Sequence, residues 1–311
     1  MCRALLRLPL AAFLFLLGFT VADADEILTY KWQGVDRTAI LHIPKGAAGH
    51  PAPLVPAPLV IVMYGSDDKA VNFQRNSGFD AVADSENFIT LYPEAIDGAW
   101  NIKSRRPVIN GEPVDDIGFF RTMIDDLVSR KIADGTRIYA TGFSFGALMT
   151  YTLACALPDR IAAIAPVASA INEAQIEDCK PGHPMPVMMV NGTSDDVQRY
   201  DGYIRSFGRL LSVPETTEYW RRIDGCTGEN ATPLPHLNPH DLTRASVVQW
   251  SGCRANTGVQ LYRIENGGHC WPRLAGSGND NPVDGPRFGG CSNDIETAVE
   301  VWNFFKVFHG A

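Results

Sequence analysis

The segment Arg137–Thr150, RIYATGFSFGALMT, decides the fold class of this chain. A short apolar, β-branched run leads into Gly-Phe-Ser-Phe-Gly at positions 142–146, and a helix-forming run follows at once. The sequence therefore predicts a strand, a tight turn and a helix, with Ser144 at the apex. Glycines two positions either side of the serine fit a nucleophile elbow, because side chains there would collide across so sharp a turn. The same pattern also arises by chance in glycine-rich loops, and the flanking strand and helix favour the elbow.

Length and composition allow one large domain or two small ones, with an ample core. The 311 residues are 45% hydrophobic and 20% charged, as expected of a globular chain. Lys and Arg number 27 against 35 Asp and Glu, which gives a net charge of −8. Because no basic cluster is present, we expect neither nucleic acid nor an anionic membrane surface as a partner.

The first 24 residues have the features of a secretory signal peptide. Arg3 and Arg7 precede an apolar core at positions 8–21, and a small-x-small pattern ends at Ala24. We predict cleavage after Ala24, which gives a secreted or periplasmic mature chain of residues 25–311 with no membrane contact. The alternative is an uncleaved anchor, for which an apolar run of about fourteen residues is short against the roughly 20 that span a bilayer.

Six cysteines remain after this cleavage, and an even number in a secreted chain indicates disulfides. Six cysteines allow fifteen pairings, among which the sequence does not choose. Proximity along the chain favours the pairs Cys155 with Cys179, Cys226 with Cys253, and Cys270 with Cys291. A free Cys270 is the alternative for the last pair. No C-x-x-C or comparable spacing is present, so we expect no metal site.

Strands alternate with helices along most of the chain, which predicts a mostly parallel central sheet flanked by helices. The predicted strands are Glu26–Trp32, Arg37–Ile43, Leu59–Met63, Phe88–Tyr92, Ile138–Thr141, Ile161–Val167, Pro186–Val190, Val247–Trp250 and Val259–Ile264. The predicted helices are Phe79–Ser85, Ile117–Lys131 and Ile295–Phe308, with Tyr203–Trp220 helical in parts. Residues Pro93–Pro113 are predicted to form a long irregular loop.

Two later strands run into residues that could activate Ser144. The strand at 186–190 leads into Asn-Gly-Thr-Ser-Asp-Asp, and the strand at 259–264 leads into a Gly-Gly-His loop. We take Asp195 as the candidate acid and His269 as the candidate base. The order serine, aspartate, histidine, each after a predicted strand, is that of the α/β-hydrolase fold.

Some positions around this set leave alternatives open. Asp196 is the rival acid, and Asp195 is preferred because it lies nearer the strand end. Main-chain N–H groups of Phe145 and Ser66 are the candidate oxyanion donors. Ser66 lies in a Gly-Ser-Asp turn after the strand at 59–63, and an ordinary β-to-α connection uses the same turn.

Four motifs in order carry a resemblance to a known family: YATGFSFGALM, PVMMVNGTSDD, the cysteine-bounded segment Cys226–Cys253, and LYRIENGGHCWP. The chain resembles the secreted esterases of the polyhydroxybutyrate depolymerase type, which are similar to feruloyl and acetylxylan esterases of carbohydrate esterase family 1. The resemblance extends over Arg37–Phe308. It implies a single α/β-hydrolase domain, no cofactor, and hydrolysis of small-molecule or oligomeric carboxylic esters through an acyl-enzyme.

The resemblance also implies roles for individual residues. It supports Ser144 as nucleophile, Asp195 as acid, His269 as base, and Trp271 as a wall of the substrate pocket. The family usually has histidine where this chain has Tyr64, and a small or polar residue at the position of Phe145. We expect four aromatic rings to line an apolar acyl pocket: Tyr64, Trp100, Phe145 and Trp271. The alternative for Trp100 and Trp271 is that both rings are only packed in the core.

The point at which the sequence ends affects which substrates we expect, when the chain is set beside depolymerases of the same family. Depolymerases that attack solid polymer resemble this catalytic domain followed by a linker and a binding domain, whereas the sequence stops at Ala311. We therefore expect soluble esters or short oligomers as substrates. The alternatives to an esterase are a secreted serine peptidase of the same fold and a catalytically silent binding protein.

Overall fold

The computed structural model describes residues 25–44, 56–103, 106–205, 208–274 and 290–310. The predicted signal peptide, residues 1–24, lies outside this part of the chain. None of the helices in the described ranges has both the length and the apolar character needed to cross a bilayer.

Strands and helices alternate from the first described residues to the last. The strands are β1 Glu26–Trp32, β2 Val35–His42, β3 Ala57–Met63, β4 Ile89–Pro93, β5 Val108–Ile109, β6 Glu112–Pro113, β7 Ala133–Phe143, β8 Ala163–Val167, β9 Val187–Gly192, β10 Tyr203–Arg205, β11 Gly208–Leu210, β12 Gly228–Pro233, β13 Arg244–Ser251 and β14 Val259–Glu265. The α-helices are α1 Ala70–Ser77, α2 Phe79–Glu86, α3 Asp116–Ser129, α4 Phe145–Ala156, α5 Glu173–Asp178, α6 Val213–Asp224 and α7 Thr297–Phe305.

Within the described ranges, one sheet of ten strands runs in the order β1-β2-β4-β3-β7-β8-β9-β14-β13-β12. Its six central strands, from β4 to β14, are parallel, and the two strands at each edge are antiparallel. The predicted mostly parallel sheet flanked by helices is therefore confirmed. All carboxyl ends of the parallel strands meet at one edge of the sheet, where ligands of such folds bind.

The central strands are apolar along their length because helices cover both faces of the sheet. Every residue of β3, β4 and β8 is buried. The last helix, α7, stacks Trp302 on Phe88 at a ring separation of 4.0 Å and Phe305 on Tyr139 at 4.8 Å. The C-terminal segment is thereby fixed against the sheet that carries the candidate site.

Several elements differ from the sequence prediction for identifiable reasons. Strands β10 and β11 pair in antiparallel fashion before α6 begins, so helix occupies only the second half of the segment predicted to be partly helical. Helix α1 was not predicted because AVNFQRNS has few apolar residues. Strand β12 was not predicted because its six residues, GENATP, are largely exposed and show no apolar alternation.

The start of α3 is held by two adjacent aspartates with different functions. Asp115 is the N-cap, and its side chain accepts a hydrogen bond from the Gly118 N–H at 2.8 Å. Asp116 instead forms a fully buried ion pair with Arg37 at 2.7 Å and accepts from the Asn101 N–H at 2.6 Å. This pair links α3 and the loop after β4 to β2, the second strand of the sheet.

Asp224, at the end of α6, makes the stability of the fold dependent on pH. Its side chain has no exposed surface, and burial raises its pKa to about 7, against the opposing effects of the Met185 N–H, Thr257 and Arg254. The raised pKa means that the folded state binds the proton more tightly than the unfolded state. The contribution of Asp224 to stability is therefore fully present below about pH 4, the usual pKa of an unfolded aspartate, and is lost as pH rises towards 7.

We expect Asp224→Asn to remove this decline. Each pKa unit corresponds to about 1.4 kcal/mol, so the full loss in the native protein is roughly 4 kcal/mol. The asparagine oxygen can still accept the Met185 N–H, which Asp224 Oδ1 accepts at 2.8 Å. Urea unfolding at pH values from 4 to 8 would measure the effect, with the exposed Asp201→Asn as control. Parallel pH profiles for the native protein and Asp224→Asn would contradict the expectation.

Candidate active site

Ser144 occupies a strained turn between a strand and a helix. Strand β7 ends at Phe143 and α4 begins at Phe145, so Ser144 alone connects them, with φ of 54° and ψ of −112°. This backbone conformation is costly for a residue with a Cβ atom and is common at active sites. A Cβ atom on Gly142 would lie 2.6 Å from the Gly146 backbone, and one on Gly146 would collide with the Met63 carbonyl oxygen. Both glycines are therefore required by the turn.

The structure brings Ser144, His269 and Asp195 into one chain of hydrogen bonds. Ser144 Oγ lies 2.9 Å from His269 Nε2, and His269 Nδ1 lies 2.8 Å from Asp195 Oδ2. The three residues are 7%, 6% and 5% exposed, so water competes little for these bonds. With the Nδ1 proton donated to the carboxylate, Nε2 is left able to accept the serine proton.

The acid position is occupied by Asp195, whereas Asp196 is exposed. Asp195 Oδ1 accepts hydrogen bonds from the Val197 N–H at 2.9 Å and the Gln198 N–H at 2.7 Å. These bonds leave Oδ2 directed at His269. Sequence analysis did not identify the two N–H donors, although an aspartate in a turn commonly accepts from the residues that follow it.

The loop that carries His269 is fastened on both sides. The Gly268 N–H donates to the Gly290 carbonyl at 2.7 Å, and Cys270 is disulfide-bonded to Cys291. The imidazole also packs against the Phe143 ring, with ring centres 4.8 Å apart. Since Phe143 is the last residue of β7, the strand that presents the serine also supports the histidine.

The turn predicted to supply an oxyanion donor lies against the serine. A Cβ atom on Gly65 would stand 3.3 Å from Ser144 Cβ, so the 64–66 backbone passes directly beside the serine side chain. Ser66 itself is exposed. On the other side, the Phe145 N–H lies at the positive end of α4.

Glu94, which was not identified from the sequence, holds this turn in place by hydrogen bonds. Its Oε1 accepts the Tyr64 hydroxyl at 2.8 Å, and its Oε2 accepts the Ala70 N–H at 3.0 Å. The Tyr64 hydroxyl in turn accepts the Ala95 N–H at 2.8 Å. Burial raises the pKa of Tyr64 far above its ordinary value, so the phenol remains a neutral donor. No local sequence pattern marks Glu94, because its partners come from other elements.

Tyr64, Trp100 and Trp271, which the sequence suggests as substrate contacts, are all buried in the structure. Tyr64 and Trp100 have no exposed surface, and Trp271 is 3% exposed. Trp100 donates its indole N–H to the Tyr64 carbonyl at 3.3 Å, and Trp271 donates to the Ser77 carbonyl at 3.1 Å. Trp271 also packs edge-on against Phe73. These rings therefore pack in the core against the turn at residues 64–66 and the loop that carries His269. Phe145 is likewise buried, at 6% exposure.

The described cysteines form three disulfides: Cys155–Cys179, Cys226–Cys253 and Cys270–Cys291. These are the pairs that proximity along the chain favoured, and Cys270 is accordingly not free. The first bridge joins α4 to the end of α5, the second closes the segment that contains β12 and β13, and the third lies next to His269.

A cavity of about 290 Å³ lies beside α3 and α4, away from the serine. Thr152 and Cys155 of α4 line one side, and Val114 and Ile117 line another. Ser144, His269 and Asp195 are not among its lining residues. This cavity is therefore separate from the hydrogen-bonded triad.

Comparison with known proteins identifies related sequences. A family model described as Esterase PHB depolymerase matches residues 38–213, more than half of the chain. Feruloyl esterase B of Piromyces equi is 29% identical over 75% of this chain and 42% of its own length. Poly(3-hydroxyalkanoate) depolymerase C of Paucimonas lemoignei is 29% identical over 41% of this chain and 30% of its own length. The chain thus spans less than half the length of both relatives.

Solved structures show the same fold. An acetyl xylan esterase from Aspergillus awamori aligns with a TM-score of 0.55 over 76% of this chain and 92% of that one. The sequence identity is 13%, so this likeness concerns the fold alone. The mostly parallel sheet and the strand-turn-helix at Ser144 are those of the α/β-hydrolase fold that the sequence predicted.

Proposed function

Because the chain belongs to the Esterase PHB depolymerase family, we propose that it is a secreted serine esterase that acts through Ser144, His269 and Asp195. Family membership and the named relatives establish it as a carboxylic ester hydrolase of the α/β-hydrolase fold. The observation that carries the proposal is the continuous hydrogen-bond chain from Ser144 Oγ through His269 to Asp195. The segments that follow β7, β9 and β14 hold these three groups in the geometry that nucleophilic catalysis requires.

In the proposed reaction, Ser144 Oγ attacks the ester carbonyl carbon while His269 Nε2 accepts the hydroxyl proton. The tetrahedral intermediate then expels the alcohol, which takes the proton from His269, and the acyl group remains bonded to Ser144. Water attacks this acyl-enzyme with His269 again as base, which releases the carboxylic acid and restores the serine hydroxyl. Asp195 orients the imidazole and stabilises its charged form.

The negative charge that develops on the carbonyl oxygen needs donors held in place beforehand. We assign this role to the main-chain N–H groups of Phe145 and Ser66. The position of the Gly65 backbone against Ser144 supports the assignment, as does the first turn of α4. Loss of one such donor typically costs roughly 3 to 4 kcal/mol of transition-state stabilisation.

We propose aryl esters of the feruloyl type or hydroxyalkanoate oligomers as the substrates. The names of the relatives support both classes. We further propose that residues 1–24 direct export and that residues 25–311 form one catalytic domain. The three disulfides support an oxidising location for the folded chain.

A panel of esters tests the substrate proposal. Residues 25–311 would be assayed with short p-nitrophenyl esters, methyl ferulate and 3-hydroxybutyrate oligomers, and the highest kcat/KM identifies the preferred acyl group. Turnover of peptides but of none of these esters would favour a serine peptidase. No turnover together with no labelling of Ser144 by a phosphonate would favour a silent binding protein.

The Cys270–Cys291 bridge is expected to protect activity more than global stability. In the chain-entropy model a loop of this size, with bridge positions 21 apart, contributes about 3 kcal/mol. Because the bridge begins at the residue after His269, its reduction should loosen the histidine loop first. Titration with dithiothreitol should therefore lower esterase activity before the circular dichroism signal changes.

The matched control removes a bridge that lies away from the histidine loop. The double variant Cys226→Ser, Cys253→Ser should lose stability while retaining kcat, whereas Cys270→Ser, Cys291→Ser should lose kcat at temperatures where it is still folded. If activity and circular dichroism decline together in the titration, the bridge has no special effect on the histidine.

A further inference from the structure

Outside the active site, one histidine is surrounded by three aspartates at the start of the described chain. His42 is the last residue of β2, Asp25 directly precedes β1, and Asp80 and Asp84 lie one turn apart on α2. His42 Nδ1 lies 2.9 Å from Asp25 Oδ1 and 3.9 Å from Asp80 Oδ2, and Nε2 lies 3.1 Å from Asp84 Oδ1. We call these four residues the His42 cluster. It joins the edge hairpin to helix α2.

The two sides of the imidazole face different surroundings. On one side, Nε2 meets the single carboxylate of Asp84, to which an Nε2–H can donate. On the other side, Nδ1 meets oxygens of both Asp25 and Asp80. In the tautomer with the proton on Nε2, the Nδ1 lone pair and two carboxylate oxygens therefore converge, each within 4.8 Å of the others. Three acceptors in this arrangement repel one another unless a proton or a metal cation lies between them.

Neighbouring groups hold the carboxylates in this arrangement. Asp80 Oδ1 accepts the Thr90 hydroxyl at 2.8 Å and the Tyr92 hydroxyl at 2.6 Å, which leaves Oδ2 directed at His42. Gln74 Nε2 donates hydrogen bonds to Asp25 Oδ2 at 2.7 Å and to Asp80 Oδ2 at 2.9 Å. Rotation of that amide by half a turn would place its oxygen, in place of the nitrogen, beside these two carboxylates.

We propose that Asp25, His42 and Asp80 form a binding site for a divalent ion of the Zn²⁺ class. Asp84 orients the imidazole, as carboxylates commonly do for metal-bound histidines. One imidazole nitrogen with carboxylate oxygens suits Zn²⁺, whereas Ca²⁺ and Mg²⁺ take oxygen ligands. Bonds of about 2.1 Å in a tetrahedron separate ligand atoms by about 3.4 Å, so small side-chain rotations complete the site from the observed 2.9 and 3.9 Å.

The ion would cross-link the chain near the start of β1, the first described strand. It would link Asp25, the first residue after the predicted signal cleavage, to β2 and α2. It would also offset the repulsion among three aspartates that share one histidine. No sequence pattern indicates this site, because its ligands come from positions 25, 42 and 80 and have no characteristic spacing.

Zinc binding by the purified protein tests the proposal directly. After dialysis against a chelator, calorimetric titration with ZnCl₂ should show one ion per chain and a rise in Tm, and CaCl₂ or MgCl₂ at equal concentration should not. His42→Ala and Asp80→Asn should each weaken zinc binding by at least about tenfold, and Asp84→Asn by about tenfold through the lost orientation of the imidazole. The exposed His240→Ala is the matched control and should bind as the native protein does.

Two results would overturn the proposal. One is the absence of stoichiometric zinc uptake by the native protein, which would mean that a proton on Nδ1 holds the His42 cluster together. The other is unchanged affinity in both His42→Ala and Asp80→Asn. Binding is measured independently of esterase activity, so the outcome does not depend on the proposed triad.

Discussion

Replacement of Ser144 by alanine is expected to lower kcat for ester hydrolysis by about 10⁴- to 10⁶-fold. The change removes the only atom of the triad that forms a covalent bond to the acyl group in the proposed mechanism. His269 and Asp195 remain hydrogen-bonded to each other, and the main-chain oxyanion donors remain in place. The residual activity then reflects only binding and oxyanion stabilisation, which act without a nucleophile.

The measurement is the initial rate with p-nitrophenyl acetate and methyl ferulate, together with phosphonate labelling of both proteins. The native protein should be labelled at Ser144 and the variant should not. Ser129→Ala, at the exposed end of α3, is the control and should retain full activity. The variant should also unfold within a few degrees of the native Tm, because alanine keeps the turn and its two glycines. Retention of more than a tenth of the native kcat would show that a different group attacks the ester.

Asp195→Asn is expected to lower kcat by about 10⁴-fold, the size of effect seen when the histidine of such a triad adopts the wrong tautomer. The structure determines the orientation of the new amide. Its oxygen would accept the Val197 and Gln198 N–H groups that now bond to Asp195 Oδ1. The amide NH₂ would then face His269 and donate to Nδ1, so the imidazole proton would move to Nε2, where it blocks acceptance of the serine proton.

Asp196→Asn is the matched control, because it makes the same chemical change one residue along the chain at an exposed position. It should retain kcat within about twofold, as exposed substitutions usually have small effects. Both variants should keep the native circular dichroism spectrum. Comparable losses in the two variants, or a loss confined to Asp196→Asn, would mean that the hydrogen bond between His269 and Asp195 does not serve catalysis.

Asp195 and Asp196 also show a limit of prediction from the sequence, which does not determine which carboxylate faces His269. Their positions after β9 predict an acid at the carboxyl edge of the sheet, but consecutive residues in a turn point in different directions. Hydrogen bonds from the following N–H groups fix Asp195 towards the histidine, and Asp196 remains exposed. Distance from the strand end favoured Asp195 in the sequence, whereas the turn conformation determines which carboxylate reaches His269.

Aromatic residues near the serine show a second limit. Tyr64 lies at the turn formed by residues 64–66, and Trp100 lies in the loop after β4. Because both side chains are bulky, these positions suggest that they form a wall of the substrate pocket. The structure buries both, because the Tyr64 hydroxyl is shared with Glu94 and Ala95, and the indole of Trp100 donates to the Tyr64 carbonyl. Burial of a side chain depends on the elements that pack around it, and a local motif contains no information about them.

The sequence by itself determined the features that depend on local order along the chain. Apolar runs between helices require a buried parallel sheet, and a parallel sheet brings its carboxyl ends to one edge. Ser144, Asp195 and His269 each follow such a strand, so their meeting could be predicted from sequence alone. The glycines around Ser144 likewise follow from the local geometry of the turn.

Only the tertiary structure decided the features that depend on contacts between distant segments. These include the hydrogen bond from Tyr64, in the turn at residues 64–66, to Glu94, the burial of Trp271 against Phe73, and the convergence of Asp25 and Asp80 on His42. The physical reason is that hydrogen bonds and packing act over a few ångströms in space. Residues tens of positions apart can satisfy them, and no periodicity along the chain records which pairs will meet.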